Sequence, residues 1–151
     1  MRVVIQRVSE ASVTINDVLK SSVQQGLLVL AGFVTDDSVE DLNWTCNKII
    51  HLRIFSDYKG VMNLSVKDID GEILVVSQFT LHAKTKKGNR PSYINAAPPE
   101  IAIPFYQQFV EILGENLGKT VQTCEFGAHM VVRLVNDGPV TIIIDSKSRD
   151  F

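Results

Sequence analysis

Apolar and polar positions set out most of the elements before composition is considered. Arg2 to Ser9 is rich in Val and Ile, and Ser12 to Ile15 alternates polar and apolar residues, so two strands are expected there. Asn16-Asp17 is a turn signal, and Val18 to Gln24 resumes a strand. Gln25-Gly26 interrupts it before the apolar run Leu27 to Val34, which predicts a central strand buried on both faces. The period then changes. Asp36, Asp37 and Ser38 supply caps and negative charge for a helix N-terminus, and Val39, Leu42, Cys46, Ile49 and Ile50 recur at helical spacing as far as Leu52. Arg53 to Ser56 and Val61 to Ser65 flank a turn at Asp57 to Gly60, and Asp70-Gly71 introduces the β-like run Glu72 to Ser77.

After Thr80 the periodicity stops for about twenty residues that hold Gly88, Pro91, Pro98 and Pro99, a length typical of functional or mobile loops. A second helix is expected from Glu100 to near Gly118, with Phe105, Phe109, Ile112 and Leu113 on one face and Pro104 close to its first turn. Val121 to Phe126, Met130 to Val135 and Val140 to Ile144 read as three further strands, the last two joined by a turn at Asn136-Asp137-Gly138-Pro139. The order predicts an α/β fold: a single layered domain over residues 1–151, with mixed sheets and two main helices rather than a doubly wound parallel sheet.

Composition narrows this picture without redirecting it. In 151 residues the chain carries 45% apolar and 21% charged side chains, which excludes disordered and collagen-like classes. Its longest apolar run, Gly26 to Val34, is too short for a spanning helix or a secretory signal, so a cytosolic protein with no membrane partner is expected. Cys46 and Cys124 stand apart among apolar neighbours, where a reduced thiol behaves as a small hydrophobe, and no structural disulfide is expected. The formal net charge of -2 conceals an uneven distribution: Ile73 to Pro99 contains no acid, yet holds Lys84, Lys86, Lys87 and Arg90. A solvated loop and an RNA contact are equally good readings of that stretch.

The familiar hydrolytic signatures are missing. No Gly-x-Ser-x-Gly elbow, phosphate loop or His-Glu-x-x-His motif occurs, and His51, His82 and His129 are too scattered to suggest a local metal pair. Two segments do stand out from ordinary scaffold. In Ser77-Gln78-Phe79-Thr80-Leu81 a buried strand gives way to polar side chains as the long loop departs. Its freed N–H groups either form an oxyanion hole or leave Ser77 and Thr80 as simple strand-end caps. Thr80 has no base near it in sequence, and an unassisted hydroxyl is a weak nucleophile. Asn136-Asp137-Gly138-Pro139-Val140-Thr141 reads locally as a hairpin turn, since only about 5–6% of X–Pro bonds are cis.

Taken together, SQFTL at Ser77 to Leu81 and NDGPVT at Asn136 to Thr141 resemble the paired signatures of the D-aminoacyl-tRNA deacylase family. The likeness runs the full chain, through MRVVIQRV at Met1 to Val8, KGNRPS at Lys87 to Ser92, AAPP at Ala96 to Pro99 and FGAHM at Phe126 to Met130. The resemblance implies a three-layer α/β/β domain working as a homodimer with active sites shared across the interface. Gly138-Pro139 would be cis and enter the partner's pocket, where its carbonyls face the chiral carbon, exclude L-aminoacyl groups and admit glycine. Carried over in the same way, Ser77, Gln78, Phe79 and Thr80 are the catalytic residues lining the pocket for the ester and terminal adenosine. Gly138, Pro139, Val140, Phe126 and Met130 bind substrate, and Arg7 holds the Gly-Pro loop. Lys86, Lys87 and Arg90 meet the backbone at the 3′ acceptor end of aminoacyl-tRNA, with Lys84 a departure from many relatives. No metal ligand and no cofactor are assigned from the sequence. The expected chemistry is stabilisation of an oxyanion by N–H groups around Gln78 to Thr80, with water attacking the ester and the RNA's 2′-hydroxyl assisting. An L-tolerant subgroup with a trans Gly-Pro, editing modules fused to a synthetase, and non-enzymatic nucleic-acid binders are the rival expectations.

Overall fold

The computed structural model describes residues 1–150. Eight strands and two α-helices follow one another as β1 (Arg2–Ile15), β2 (Val18–Val23), β3 (Gly26–Gly32), α1 (Val39–His51), β4 (Phe55–Ser56), β5 (Met62–Leu64), β6 (Glu72–Ser77), α2 (Pro99–Leu117), β7 (Gln122–Thr123) and β8 (Val131–Asp145). The fold is mixed α/β. β2, β1, β3, β6 and β7 lie side by side in that order, β8 pairs with β1, and β4 and β5 form a separate hairpin. β1 is antiparallel to its three neighbours, whereas β3, β6 and β7 run parallel to one another.

The parallel centre explains the unbroken apolar runs. Leu27 to Val29 of β3 and Ile73 to Val76 of β6 are buried, and they join the apolar faces of both helices in one core. The two strands begin in very close contact: a Cβ on Gly26 would stand 1.9 Å from the Glu72 carbonyl oxygen, so no larger residue fits. Ser38 caps α1, its hydroxyl accepting from the Asp41 amide while the Asp41 carboxylate accepts from the Ser38 amide. Leu42, Cys46, Ile49 and Ile50 turn inward from α1, and Tyr106, Phe109 and Leu113 turn inward from α2. Burial pushes the Cys46 thiol far above its ordinary pKa, which makes it an inert part of the core. α2 starts on the Pro98-Pro99 pair and ends at Gly118, whose φ of +81° is the left-handed conformation of a helix C-cap.

Three expectations drawn from local pattern are corrected. The first two strands are one: β1 runs from Arg2 to Ile15, and irregular pairing with β8 around Val8 absorbs the change of phase between buried Val8 and buried Ala11. The run Val121 to Phe126 contributes only Gln122 and Thr123 to the sheet. Most consequentially, Asn136 to Pro139 is no hairpin turn. Val131 to Asn136 and Thr141 to Asp145 both pair with β1, so β8 passes straight through the segment and Asp137 to Val140 bulge out opposite Arg7 alone. A hairpin would reverse the chain, whereas the ladder keeps its direction on both sides. No helix among the described residues is long and apolar enough to cross a membrane.

Candidate active site

A cavity of about 570 Å³ opens where β3, β6 and the start of β8 end together. This is the size range of small-ligand sites. Ala31, Gly32 and Phe33 form one wall, Val76, Ser77, Gln78 and Phe79 a second, and Phe126 to Met130 with Val132 a third. Tyr93 and the segment Ala96 to Pro99 close the remaining side, anchored by the Ala97 amide donating to the Phe33 carbonyl at 2.9 Å. No Asp, Glu, Lys or Arg is among the lining residues. At the rim, the rings of Phe79 and Tyr93 meet edge to face with centroids 5.0 Å apart.

The Gln78 segment determines what this cavity can do. β6 stops at Ser77, and Phe79 to His82 form one 3₁₀ turn. The Gln78 amide is consumed, because it donates to the Ala31 carbonyl at 2.7 Å. Leu81 is the first amide inside the turn to find an acceptor, on Gln78. Phe79 and Thr80 therefore carry the two N–H groups that the turn leaves open, as the first donors of any helix are left. The expectation of free donors around Gln78 to Thr80 is thereby narrowed to two residues. Gly32 supports the same turn: a Cβ there would lie 2.7 Å from the Gln78 carbonyl oxygen.

The side chains suggest no activated nucleophile. The Thr80 hydroxyl accepts a 2.5 Å hydrogen bond from Gln78 Nε2, and Thr80 is not part of the cavity wall. Ser77 Oγ has Cys124 Sγ as its neighbour at 3.8 Å rather than a base. Of the family-derived residues, Ser77, Gln78, Phe79, Phe126 and Met130 come together around the cavity. Gly138, Pro139, Val140 and Arg7 do not line it. At about 3.3 Å of rise per residue, the six residues from Val132 to Gly138 carry the bulge up to about 20 Å along β8 from the cavity wall.

The bulge is nonetheless built with care. The Gly138–Pro139 peptide is cis, and Asp137, Gly138 and Pro139 are exposed. Asn136 closes the loop from within: its Oδ1 accepts from the Val140 amide at 2.8 Å and its Nδ2 donates to Thr141 Oγ1 at 3.1 Å. Arg7 fills the gap in the ladder. Its Nε donates to the Asp137 carbonyl at 2.8 Å and its Nη1 to the Ile54 carbonyl at 2.5 Å. Lys86, Lys87 and Arg90 are exposed on a finger closed at its base by reciprocal hydrogen bonds between the backbones of Lys84 and Ser92.

Sequence reasoning missed Ala31, Gly32, Phe33 and Tyr93 as wall residues. The available signal was the Ala31-Gly32 pair ending a buried strand, where small residues leave room beside the backbone.

A largely uncharged hollow beside a 3₁₀ turn with open amides, on a mixed α/β scaffold, is the kind of arrangement found in small-ligand enzyme sites. The D-Tyr-tRNA(Tyr) deacylase family model matches residues 4–145. A D-aminoacyl-tRNA deacylase of Flavobacterium psychrophilum is 65% identical over 150 residues, covering 99% of this chain and all of the relative. One from Bacteroides fragilis is 61% identical with the same coverage. Among solved structures, a c-Myc DNA unwinding element binding protein superposes with a TM-score of 0.91 at 41% identity, over 96% of this chain and 98% of that one. The chain belongs to the D-Tyr-tRNA(Tyr) deacylase family, and it is a hydrolase of that family.

Proposed function

We propose that the protein hydrolyses the ester of D-aminoacyl-tRNA and of mischarged glycyl-tRNA, releasing the free amino acid and tRNA, and so acts in the cytoplasm as a chiral proofreader of translation. The observation that carries the reading is the pair of open amides in one 3₁₀ turn, that of Phe79, which lines the cavity with Ser77 and Gln78, and that of Thr80 next to it. The water oxygen adds to the ester carbonyl carbon, and charge develops on the carbonyl oxygen within reach of those amides. Collapse of the adduct breaks the bond to the ribose oxygen, which leaves with the proton given up by the attacking water, relayed through the neighbouring 2′-hydroxyl. Preorganised donors of this kind act on the transition state and require no covalent enzyme intermediate. The terminal adenosine lies against the Ser77 to Phe79 wall, and Phe126 and Met130 bound the aminoacyl group.

Selection against L-aminoacyl groups belongs to a homodimer. The Gly138–Pro139 bulge is too far along β8 to complete its own cavity, yet it is exposed and firmly anchored by Arg7 and Asn136. β8 also leaves its outer edge without a partner strand among the described residues, with Val131, Leu134, Val135 and Ile143 exposed. A long apolar edge of that kind calls for a covering surface. In the dimer each bulge enters the other subunit's cavity, its carbonyls lie against the chiral carbon, and an L side chain meets them. The same reading keeps the family's α/β/β layering, one domain over residues 1–151, and the contact of Lys86, Lys87 and Arg90 with the acceptor-end backbone.

Hydrolysis of matched D-tyrosyl-, L-tyrosyl- and glycyl-tRNA tests the reading. Loss of the D and glycyl esters with the L ester spared supports it, and equal cleavage of D and L contradicts the chiral gate. Nucleic-acid binding without turnover of any ester would move the weight to the function for which the c-Myc element binding protein is named.

A further inference from the structure

The β6/β7 ladder ends just below the cavity, and two side chains finish it. Leu74 pairs with Gln122 and Val75 with Thr123, after which β7 turns away through Glu125 and Gly127. The next amide of β6 that points to this side belongs to Ser77, and it has no carbonyl to meet. It donates instead to Cys124 Sγ at 3.5 Å. Tyr106, reaching in from α2, donates its hydroxyl proton to the Val75 carbonyl at 2.9 Å and accepts from the Cys124 amide at 3.3 Å. With that proton committed, the 3.4 Å contact between Tyr106 Oη and Cys124 Sγ needs the thiol hydrogen as donor. The thiol hydrogen then goes to Tyr106 and the tyrosine O–H to Val75, while the sulfur lone pairs face the Ser77 amide and, at 3.8 Å, the Ser77 hydroxyl. Both side chains are buried, at 6% and 8% exposure, so no water replaces a lost partner without rearrangement.

We propose that Tyr106 and Cys124 are a positioning pair for deacylation: they hold Ser77 from one side while Ala31 holds Gln78 from the other, and so fix the open amides of Phe79 and Thr80. The inference rests on the deacylase reading. Neither residue lines the cavity, so neither touches substrate, and both act through Ser77. Donors that stabilise developing charge lose effect when displaced by a fraction of an ångström, whereas binding of the tRNA body is left alone.

The test compares Cys124→Ala and Tyr106→Phe with the conservative Cys124→Ser and with Cys46→Ala, a thiol removed elsewhere in the core. In Cys124→Ala and Tyr106→Phe, kcat on D-tyrosyl-tRNA falls about tenfold while KM stays within about twofold, the signature of an interaction made only in the transition state. Cys124→Ser, which keeps a donor and an acceptor, recovers most of that loss, and Cys46→Ala leaves kcat unchanged. Exchange of the Ser77 amide, measured against Val29 in the protein alone, accelerates in the two disruptive variants. Wild-type kcat in both folded variants, or Ser77 exchange as slow as in the parent, overturns the proposal. Should Tyr106→Phe fail to fold, Cys124→Ala decides alone. An inactive wild type would defeat the deacylase reading, while the exchange data would still say whether the pair holds Ser77.

Discussion

Arg7→Met removes the guanidinium that ties the Gly138–Pro139 bulge to the sheet and keeps most of the aliphatic stem. The Nη1 bond to Ile54 is part-buried and charge-assisted, whereas the Nε bond to Asp137 is exposed and the Asp137 carboxylate, 3.6 Å away, is 54% exposed. A bond to a charged group contributes about 1.5–3 kcal/mol, an exposed one less, and a surface ion pair about 0–1 kcal/mol. The total loss is therefore roughly 2–4 kcal/mol, or a fall in melting temperature of roughly 5–15 °C for a chain of this size. Urea unfolding measures the first quantity, and D- and L-tyrosyl-tRNA hydrolysis by the folded variant measures the consequence. With the bulge as the proposed chiral gate, the D:L rate ratio should narrow about tenfold, equivalent to about 1.4 kcal/mol. Arg7→Lys should fall between the two, since one ammonium cannot serve both carbonyls. A folded Arg7→Met enzyme with the parental D:L ratio would refute the assignment of Arg7 as anchor of the gate.

Other consequences can be checked independently. Gly32→Ala drives a methyl group to 2.7 Å from the Gln78 carbonyl, so it should cost about 1–3 kcal/mol in denaturant unfolding and lower D-ester hydrolysis by moving the turn. Combined Lys86→Glu, Lys87→Glu and Arg90→Glu should leave thermal stability alone but weaken tRNA binding, and reduce the slope of log affinity against log salt by about 2–3. Burial pushes the Asp41 carboxyl upward, but hydrogen bonds from Lys147 and from the Ser38 hydroxyl and amide reverse this and hold it well below the usual carboxylate range. Its contribution is therefore complete above the unfolded value of about 4 and disappears as pH falls below it. Asp41→Asn should lower stability at neutral pH by roughly 1–3 kcal/mol and flatten the acid limb of the stability profile. Thr80→Ala should keep D-ester hydrolysis within a few-fold of the parent, since the contribution proposed for Thr80 is its amide, which the substitution retains.

How far the fold is legible depends on whether the controlling interaction is local. The helical spacing of Leu42, Cys46, Ile49 and Ile50 behind a Ser38 cap is a local signal, and α1 forms where that signal lies. The apolar runs of β3 and β6 are equally direct, because parallel strands buried on both faces have little alternation to misread. Asn136 to Pro139 fails as a local signal. Its residues have turn chemistry, but Arg7, about 130 positions away along the chain, accepts the bulge into a continuous ladder. The cavity divides in the same way. Ser77 to Phe79 are visible as a strand end dissolving into polar residues, whereas Gly32 and Tyr93 join them only through sheet order and the return of the loop. Which amides stay open is decided by the Gln78-to-Ala31 bond, a fact of strand register that no composition or spacing contains.

On the proposed function, a main-chain site gated by the Gly138–Pro139 bulge removes D-aminoacyl groups and leaves L-aminoacyl groups in place. Single-turnover hydrolysis of D-tyrosyl- and L-tyrosyl-tRNA, with enzyme in excess over ester, tests it most directly because product release and substrate depletion drop out. Rapid release of D-tyrosine is expected, while the L ester decays at its spontaneous rate. Release of L-tyrosine at the same rate as D-tyrosine, or of neither above the spontaneous rate, would contradict it.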